Sequence, residues 1–111
     1  MKKFIVIYHA PVEFMKDPAS PEEKTESMKA WMLWAEKCGD NLVDMGAPLV
    51  NGVQLSPDGT SIKSERNVAG FSFLQAEDME AAKSLMEGHP HLEWNAACSI
   101  EVHEIMPLPG V

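Results

Sequence analysis

Glu87-Gly88-His89-Pro90-His91-Leu92-Glu93-Trp94-Asn95-Ala96-Ala97-Cys98, continued by Ser99-Ile100-Glu101-Val102-His103-Glu104-Ile105-Met106, is the stretch against which the other elements fall into order. Gly88 is a helix stop and Pro90 marks a turn. From Ser99 the side chains alternate, with Ile100 and Val102 apolar and Glu101 and His103 polar, which predicts a strand over Ser99–Met106. Proline cannot donate to a ladder, so Pro107 and Pro109 end it. The same stretch holds His89, His91, His103 and Trp94, which makes the turn the first place to look for chemistry.

Working backwards, Glu77–Glu87 reads as a helix. Glu77, Asp78 and Glu80 suit the positive end of its dipole, and Met79, Ala82, Leu85 and Met86 form its apolar stripe. Val68–Gln75 predicts a strand with Phe71 and Phe73 on one face. Ser56-Pro57-Asp58-Gly59-Thr60 is a turn by its chemistry, with Pro presetting φ and Gly accepting a positive one. It separates a weaker strand, Pro48–Leu55, from a polar hairpin arm, Ser61–Asn67. Ser20-Pro21-Glu22-Glu23 predicts a helix start, with Ser20 as cap, Pro21 in the first turn and Glu23 completing a capping box. Its stripe is Met28, Trp31, Met32, Ala35, Cys38, Leu42 and Met45, and Gly46 and Pro48 stop it. Gly39 inside that span costs roughly 1 kcal/mol relative to Ala and predicts a bend or a close approach. Glu36, Asp40 and Asp44 then form an i, i+4 row of like charge, read as a solvated edge rather than a metal site.

Lys3–His9 opens the chain as a strand that is apolar on both faces, Phe4, Val6 and Tyr8 against Ile5 and Ile7. The order is therefore β-α-β-β-α-β. That is the α+β, ferredoxin-like arrangement, a four-stranded antiparallel sheet with both helices on one face. A strand apolar on both faces needs cover on both, and a chain of 111 residues has helices for only one. Stacking two sheets about a twofold axis supplies the rest, so a homodimer is expected, each chain one domain over residues 1–111.

Composition narrows the partners. Nine Lys and Arg against 17 Asp and Glu give a net charge of −8, which disfavours phosphate backbones and anionic lipid. Neither nucleic acid nor membrane is an expected partner. No segment approaches the roughly 20 apolar residues of a membrane span. The apolar run after Lys2-Lys3 is too short for a secretory signal, since Tyr8, His9 and Glu13 interrupt it. Two cysteines make no disulfide framework, so Cys38 and Cys98 read as small buried hydrophobes in a reducing, cytoplasmic setting. A reactive Cys98 would need a cation such as His9 or His91. No nucleophile elbow, phosphate-binding glycine loop, CxxC pair or HExxH motif appears, and no cofactor is expected.

The topology gathers the histidines. The first strand ends at His9, and the fourth starts beside it, just after His89 and His91. Trp94, Cys98 and the loop with Glu13 and Asp17 belong to the same end, whereas His103 lies towards the other. The rings admit three readings. They can be structural, hydrogen-bonded to loop backbone. They can form an acid/base site, with His91, His9 and His89 as catalytic candidates and Glu93 or Glu13 orienting a ring. They can hold a metal, although Pro90 disturbs the His-x-His spacing and the helix end favours imidazolium at His89. Tyr8, Trp31, Trp94 and Glu93 are the candidate ligand contacts. Trp31 and Trp34, three apart on the first helix, read first as packing on the sheet or at a dimer contact.

In these pieces the chain resembles the YCII-related family of small proteins. The resemblance rests on Phe4-Ile5-Val6-Ile7-Tyr8-His9, Gly46-Ala47-Pro48, Ser56-Pro57-Asp58-Gly59, Ala76–Ala82, the Gly88-His89-Pro90-His91-Leu92 turn and Ile100-Glu101-Val102 to Ile105, in that order. It implies a ferredoxin-like fold paired into a dimeric α+β barrel. Some relatives carry a His–Asp pair, with His on the first helix and Asp before the proline that follows the second. One type is a metal-free dehydrochlorinase of a chlorinated hydroxyquinol. This chain has no histidine between Pro21 and Gly46, and His89 stands where those relatives have Asp. The pair is absent, so that chemistry does not transfer. What the resemblance leaves is a small-molecule-binding dimer with acid/base histidines acting as a lyase or isomerase on an aromatic or carbonyl metabolite. The alternative is a non-catalytic binding or interaction protein.

Overall fold

β1 (Lys2–His9) lies inside a four-stranded antiparallel sheet in the order β2-β5-β1-β6, in a computed structural model that describes residues 1–11 and 20–109. The remaining elements are α1 (Pro21–Cys38), β2 (Leu42–Pro48), β3 (Val53–Leu55), β4 (Ser61–Lys63), β5 (Val68–Ala76), α2 (Met79–Ser84), α3 (Pro90–Trp94) and β6 (Ser99–Glu104). β3 and β4 form a separate two-stranded sheet. The ferredoxin-like order expected from the sequence is the one observed. His9 pairs with Ser99, so the end of β1 does meet the start of β6.

The two faces of β1 behave as their alternation requires. Phe4, Val6 and Tyr8 are buried with Trp34, Cys38, Leu74, Ala76, Ala82 and Met86 in the core between sheet and helices. Ile5 and Ile7 lie on the opposite face with Phe71 and Phe73, their register partners on β5, and all four are only partly buried. Ser20 Oγ accepts from the Glu23 N–H at 3.1 Å, which is the expected cap. Asp78 caps α2 through the Ala81 N–H at 2.8 Å.

Several boundaries differ from expectation. The first helix ends at Cys38, not near Met45, because Gly39 turns to φ +55° and a 3-10 turn over Gly39–Asn41 leads into β2. Leu42 and Met45 therefore belong to a strand. Asp40 and Asp44 leave the helix with them, so the acidic row does not exist. Met28 and Met32 are 57% and 49% exposed, and the buried stripe of α1 runs through Trp34 and Cys38. The strand expected over Pro48–Leu55 is divided between the end of β2 and β3. The second helix is shorter, stopping at Ser84 and followed by turns to Gly88, and Pro90 begins the short helix α3 instead of a bare turn.

β2 is bulged against β5, with register shifts between Leu42, Asp44 and Ala47. Gly46 makes this bulge, at φ +77°, with Asp44 Oδ1 accepting its N–H at 2.8 Å. A Cβ at Gly46 would stand 1.8 Å from the Phe71 carbonyl oxygen, so no other residue fits without moving a strand. The bulge releases the Met45 carbonyl from the ladder, and that carbonyl is used in the core.

Candidate functional site

The centre of the site is a line of hydrogen bonds through the core. Ser72 Oγ donates to the Met45 carbonyl at 2.7 Å. Tyr8 Oη lies 2.7 Å from Ser72 Oγ and 3.2 Å from His89 Nε2. His89 Nδ1 accepts the His91 backbone N–H at 3.0 Å, which also makes His89 the N-cap of α3. These partners assign every proton. Nδ1 faces a donor, so it holds the lone pair and Nε2 carries the hydrogen. His89 Nε2–H then donates to Tyr8 Oη, and the Tyr8 hydroxyl donates to Ser72. Among the described residues no buried side-chain nitrogen or oxygen lacks a partner.

Electrostatics follow from this burial. Tyr8 and His89 are 3% and 0% exposed. Desolvation pushes the Tyr8 phenol up to about 12, against the opposing effect of the Ser72 bond. Desolvation, with His91 as a second cause, takes His89 down from 6.5 to about 4. The imidazolium expected from the end of the second helix is therefore overturned: the ring sits in the core, not over the helix carbonyls. Tyr8 is the one tyrosine of the chain, so phenolate absorbance reads it alone. In the folded protein that absorbance is expected to rise only near pH 12. A midpoint at the ordinary value of about 10 would contradict the buried line of bonds.

Aromatic rings wrap this line. Trp31 stands edge-on to Tyr8 at 5.0 Å and to His89 at 4.5 Å, and Trp34 lies 4.4 Å from His89. Trp34 Nε1–H donates to the Leu85 carbonyl at 2.8 Å, tying α1 to the turn after α2. His91 is 5% exposed, with its ring 5.2 Å from Tyr8 and 6.1 Å from Trp94, which is 53% exposed. His91 Nε2–H donates to the His9 carbonyl at 2.8 Å. In the neutral ring that places the hydrogen on Nε2 and leaves Nδ1 as the acceptor nitrogen.

The three histidines expected together are only partly joined. His89 and His91 share the core side of the sheet. The His9 ring lies on the open face, because Tyr8 already points inward and the next residue on a strand must point outward. Only the His9 backbone reaches His91. Its ring bonds the Arg66 carbonyl through Nδ1 at 2.9 Å and Glu101 through Nε2 at 3.0 Å, so both nitrogens face acceptors. Glu101 also meets His103 Nε2 at 3.2 Å. The His103 bond first, and the His9 bond after it, hold the Glu101 carboxyl below the usual range. His103, set aside on sequence grounds, is thus linked to His9 through one carboxylate. Register explains it: Glu101 and His103 face outward opposite Ile7 and Ile5.

The remaining candidates are dispersed. Glu93 is exposed and lines a shallow groove of about 290 Å³ with Trp34, Lys37 and Pro90. Glu13 and Asp17 lie outside the described residues. Cys38 and Cys98 are free and buried, and burial pushes both thiols up, away from a reactive thiolate. Among the described residues no group of three or more His, Cys, Asp or Glu side chains is arranged to hold a metal ion. No described helix is long and apolar enough to cross a membrane. Ser72 and the Met45 carbonyl were missed from the sequence. A lone serine in an otherwise apolar strand, flanked by Phe71 and Phe73, was the available clue.

No protein-family profile and no curated protein matches the chain. Among solved structures it is similar to 5-chloro-2-hydroxyhydroquinone dehydrochlorinase from Burkholderia phenoliruptrix AC1100, determined in complex with 2,5-dihydroxybenzoquinone. The TM-score is 0.49, at 17% identity over 89% of this chain and 90% of that one.

Proposed function

We propose that the chain is a YCII-like, cytoplasmic homodimer that binds a small aromatic or carbonyl-bearing metabolite and moves a proton on it, in an elimination or isomerisation. His91 is the acid/base group. The observation that supports this is the fixed tautomer of its ring. With Nε2–H held by the His9 carbonyl, Nδ1 is an oriented acceptor. Half-buried Trp31 and exposed Trp94 offer apolar surface on which a planar ligand can stack. His89 contributes by position, since its Nδ1 holds the His91 backbone. Twofold stacking of the face bearing Ile5, Ile7, Phe71 and Phe73 covers what one chain leaves open.

The test is turnover of a panel of small phenols and lactones by the wild-type chain and by His91→Gln. Loss of a general acid/base group costs about 10²–10⁴-fold, and a loss in that range is expected. Unchanged turnover removes His91 from the chemistry. A second reading, a binding or interaction protein with structural histidines, is favoured by His89 alone, whose ring is fully buried with both nitrogens committed. That reading expects ligand-dependent shifts of the His91 ring in NMR spectra without turnover of any panel member.

A further inference from the structure

Asn51-Gly52 stands at the base of the β3–β4 hairpin and Asp58-Gly59 at its tip. A pair of this kind can close on itself. The glycine nitrogen attacks the side-chain carbonyl carbon of the residue before it, and a five-membered succinimide forms as that carbon loses its leaving group. Glycine has no Cβ to crowd the attack. The structure treats the two pairs differently.

At the tip the reacting atoms are held. Gly59 N–H donates to the Ser56 carbonyl at 2.9 Å. Asp58 Oδ1 accepts from the Thr60 hydroxyl at 2.7 Å and from its N–H at 2.9 Å. Those bonds, the hydroxyl's first, hold the Asp58 carboxyl below its usual range. The ionised group is a poor electrophile.

At the base they are open. Asn51 and Gly52 are both exposed. The Gly52 carbonyl accepts the Ser64 N–H at 2.9 Å, but among the described residues nothing bonds the Gly52 N–H or the Asn51 side chain. The backbone also holds this pair in place. Asn51 sits at φ +57°, which Asn adopts more readily than most residues, and a Cβ at Gly52 would stand 3.3 Å from Ser64 Cβ. The other asparagines are less able to react. The Asn41 amide donates to the Gln75 carbonyl at 2.8 Å, and Asn95 Oδ1 accepts the Ala97 N–H at 2.8 Å. Asn67 precedes Val68, whose branched side chain crowds the nitrogen.

We propose that Asn51 is a modification site that converts without an enzyme, through a succinimide, to aspartate and isoaspartate, and that Asp58 on the same hairpin is spared. The Gly52 nitrogen gives its proton to solvent and bonds to Asn51 Cγ. The bond from Cγ to the amide nitrogen breaks and ammonia leaves. Water then opens the ring at either carbonyl. In sum, an amide and a water become a carboxylate and an ammonium ion, with nothing oxidised or reduced. Either product adds a negative charge to an already acidic chain. Isoaspartate also lengthens the backbone by a methylene beside Gly52, which moves the Gly52 carbonyl off the Ser64 N–H.

The test ages the untagged full chain at neutral pH and physiological temperature. Samples are digested at mildly acid pH and mapped by mass spectrometry, with fragmentation locating each site and separating aspartate from isoaspartate. Residue 51 is expected to gain about 1 Da. Its rate should exceed those at Asn41, Asn67 and Asn95 by roughly tenfold or more, with isoaspartate among the products and Asp58 unchanged. Gly52→Ala, combined with Ser64→Gly to make room and checked for folding by circular dichroism, should slow the conversion by roughly tenfold or more. An unslowed, folded variant would overturn the attack by Gly52. Aspartate formed without isoaspartate would replace the succinimide by direct hydrolysis. Asn51 that stays intact while another asparagine converts, or while a synthetic peptide of residues 49–54 converts, would overturn the site. Isomerisation of Asp58 at the pace of Asn51 would overturn the protection by its hydrogen bonds.

Discussion

Replacing His89 by Ala is expected to destabilise the fold by about 4 kcal/mol. The ring is 0% exposed and lies within 4.4–5.1 Å of Trp34, Trp31 and Tyr8, so its removal empties a ring-sized space in the core. Truncating a buried aromatic ring to Ala costs roughly 3–5 kcal/mol. Two further losses act in the same direction: α3 loses its cap and Tyr8 loses a donor. Domains of this size have only about 5–15 kcal/mol in total, so the variant sits near the edge of folding. Urea unfolding followed by tryptophan fluorescence measures the change. His89→Asn separates the parts, because its Oδ1 occupies the place of Nδ1 and can still accept from the His91 N–H. Asn should recover about 1 kcal/mol, the ordinary worth of a cap. A loss below about 1 kcal/mol for the Ala variant would mean that the ring is not packed as described.

Acid is expected to weaken the protein in a definite window. The folded His89 titrates at about 4 and its ordinary value is 6.5. Between those values the unfolded chain binds the proton and the folded one refuses it, so stability falls as pH falls. It is fully present above about 6.5 and reaches its minimum for this group below about 4. Each unit of difference corresponds to about 1.4 kcal/mol, so the whole window is on the order of 3 kcal/mol. Glu101 and Asp58, both held low by hydrogen bonds, lose their contributions at still lower pH and are exposed. Urea midpoints at pH about 7 and pH about 4.5 test this, with His89→Asn as control. The control should be nearly flat between them. An equal slope in wild type and control would place the acid sensitivity outside this ring.

The parts of the fold legible in the sequence were those carried by local periodicity. Alternation in Lys3–His9 foretold both faces of β1, and Ser20-Pro21 foretold the start of α1. The end of α1 was not legible in the same way. Leu42 and Met45 continue the helical spacing from Cys38, and the same residues serve a strand. Gly39 decides between them by taking a positive φ, which the spacing of apolar residues does not encode. The site was half legible. Topology brought the turn at Pro90 to the end of β1, and His91 does bond there. Strand parity, with Tyr8 inward and therefore His9 outward, sends the His9 ring to the far face and is itself written in the sequence. The Tyr8–Ser72 bond joins positions 64 apart, and the Met45 acceptor exists only because of the bulge at Gly46. Neither leaves a periodic trace.

The one-way order of protons from His89 through Tyr8 and Ser72 to the Met45 carbonyl has a consequence for how such a chain can drift over generations. Each hydroxyl gives to one neighbour and receives from the other, so losing Tyr8 to Phe strands two groups at once. Losing Ser72 to Ala strands the Met45 carbonyl and leaves the phenol without a taker. Single steps are therefore costly, while concerted exchange to apolar residues costs far less. Descendants of this chain should keep the whole line or abandon it in linked changes, and the glycine at 46 should go with it, since the bulge is what supplies the final acceptor.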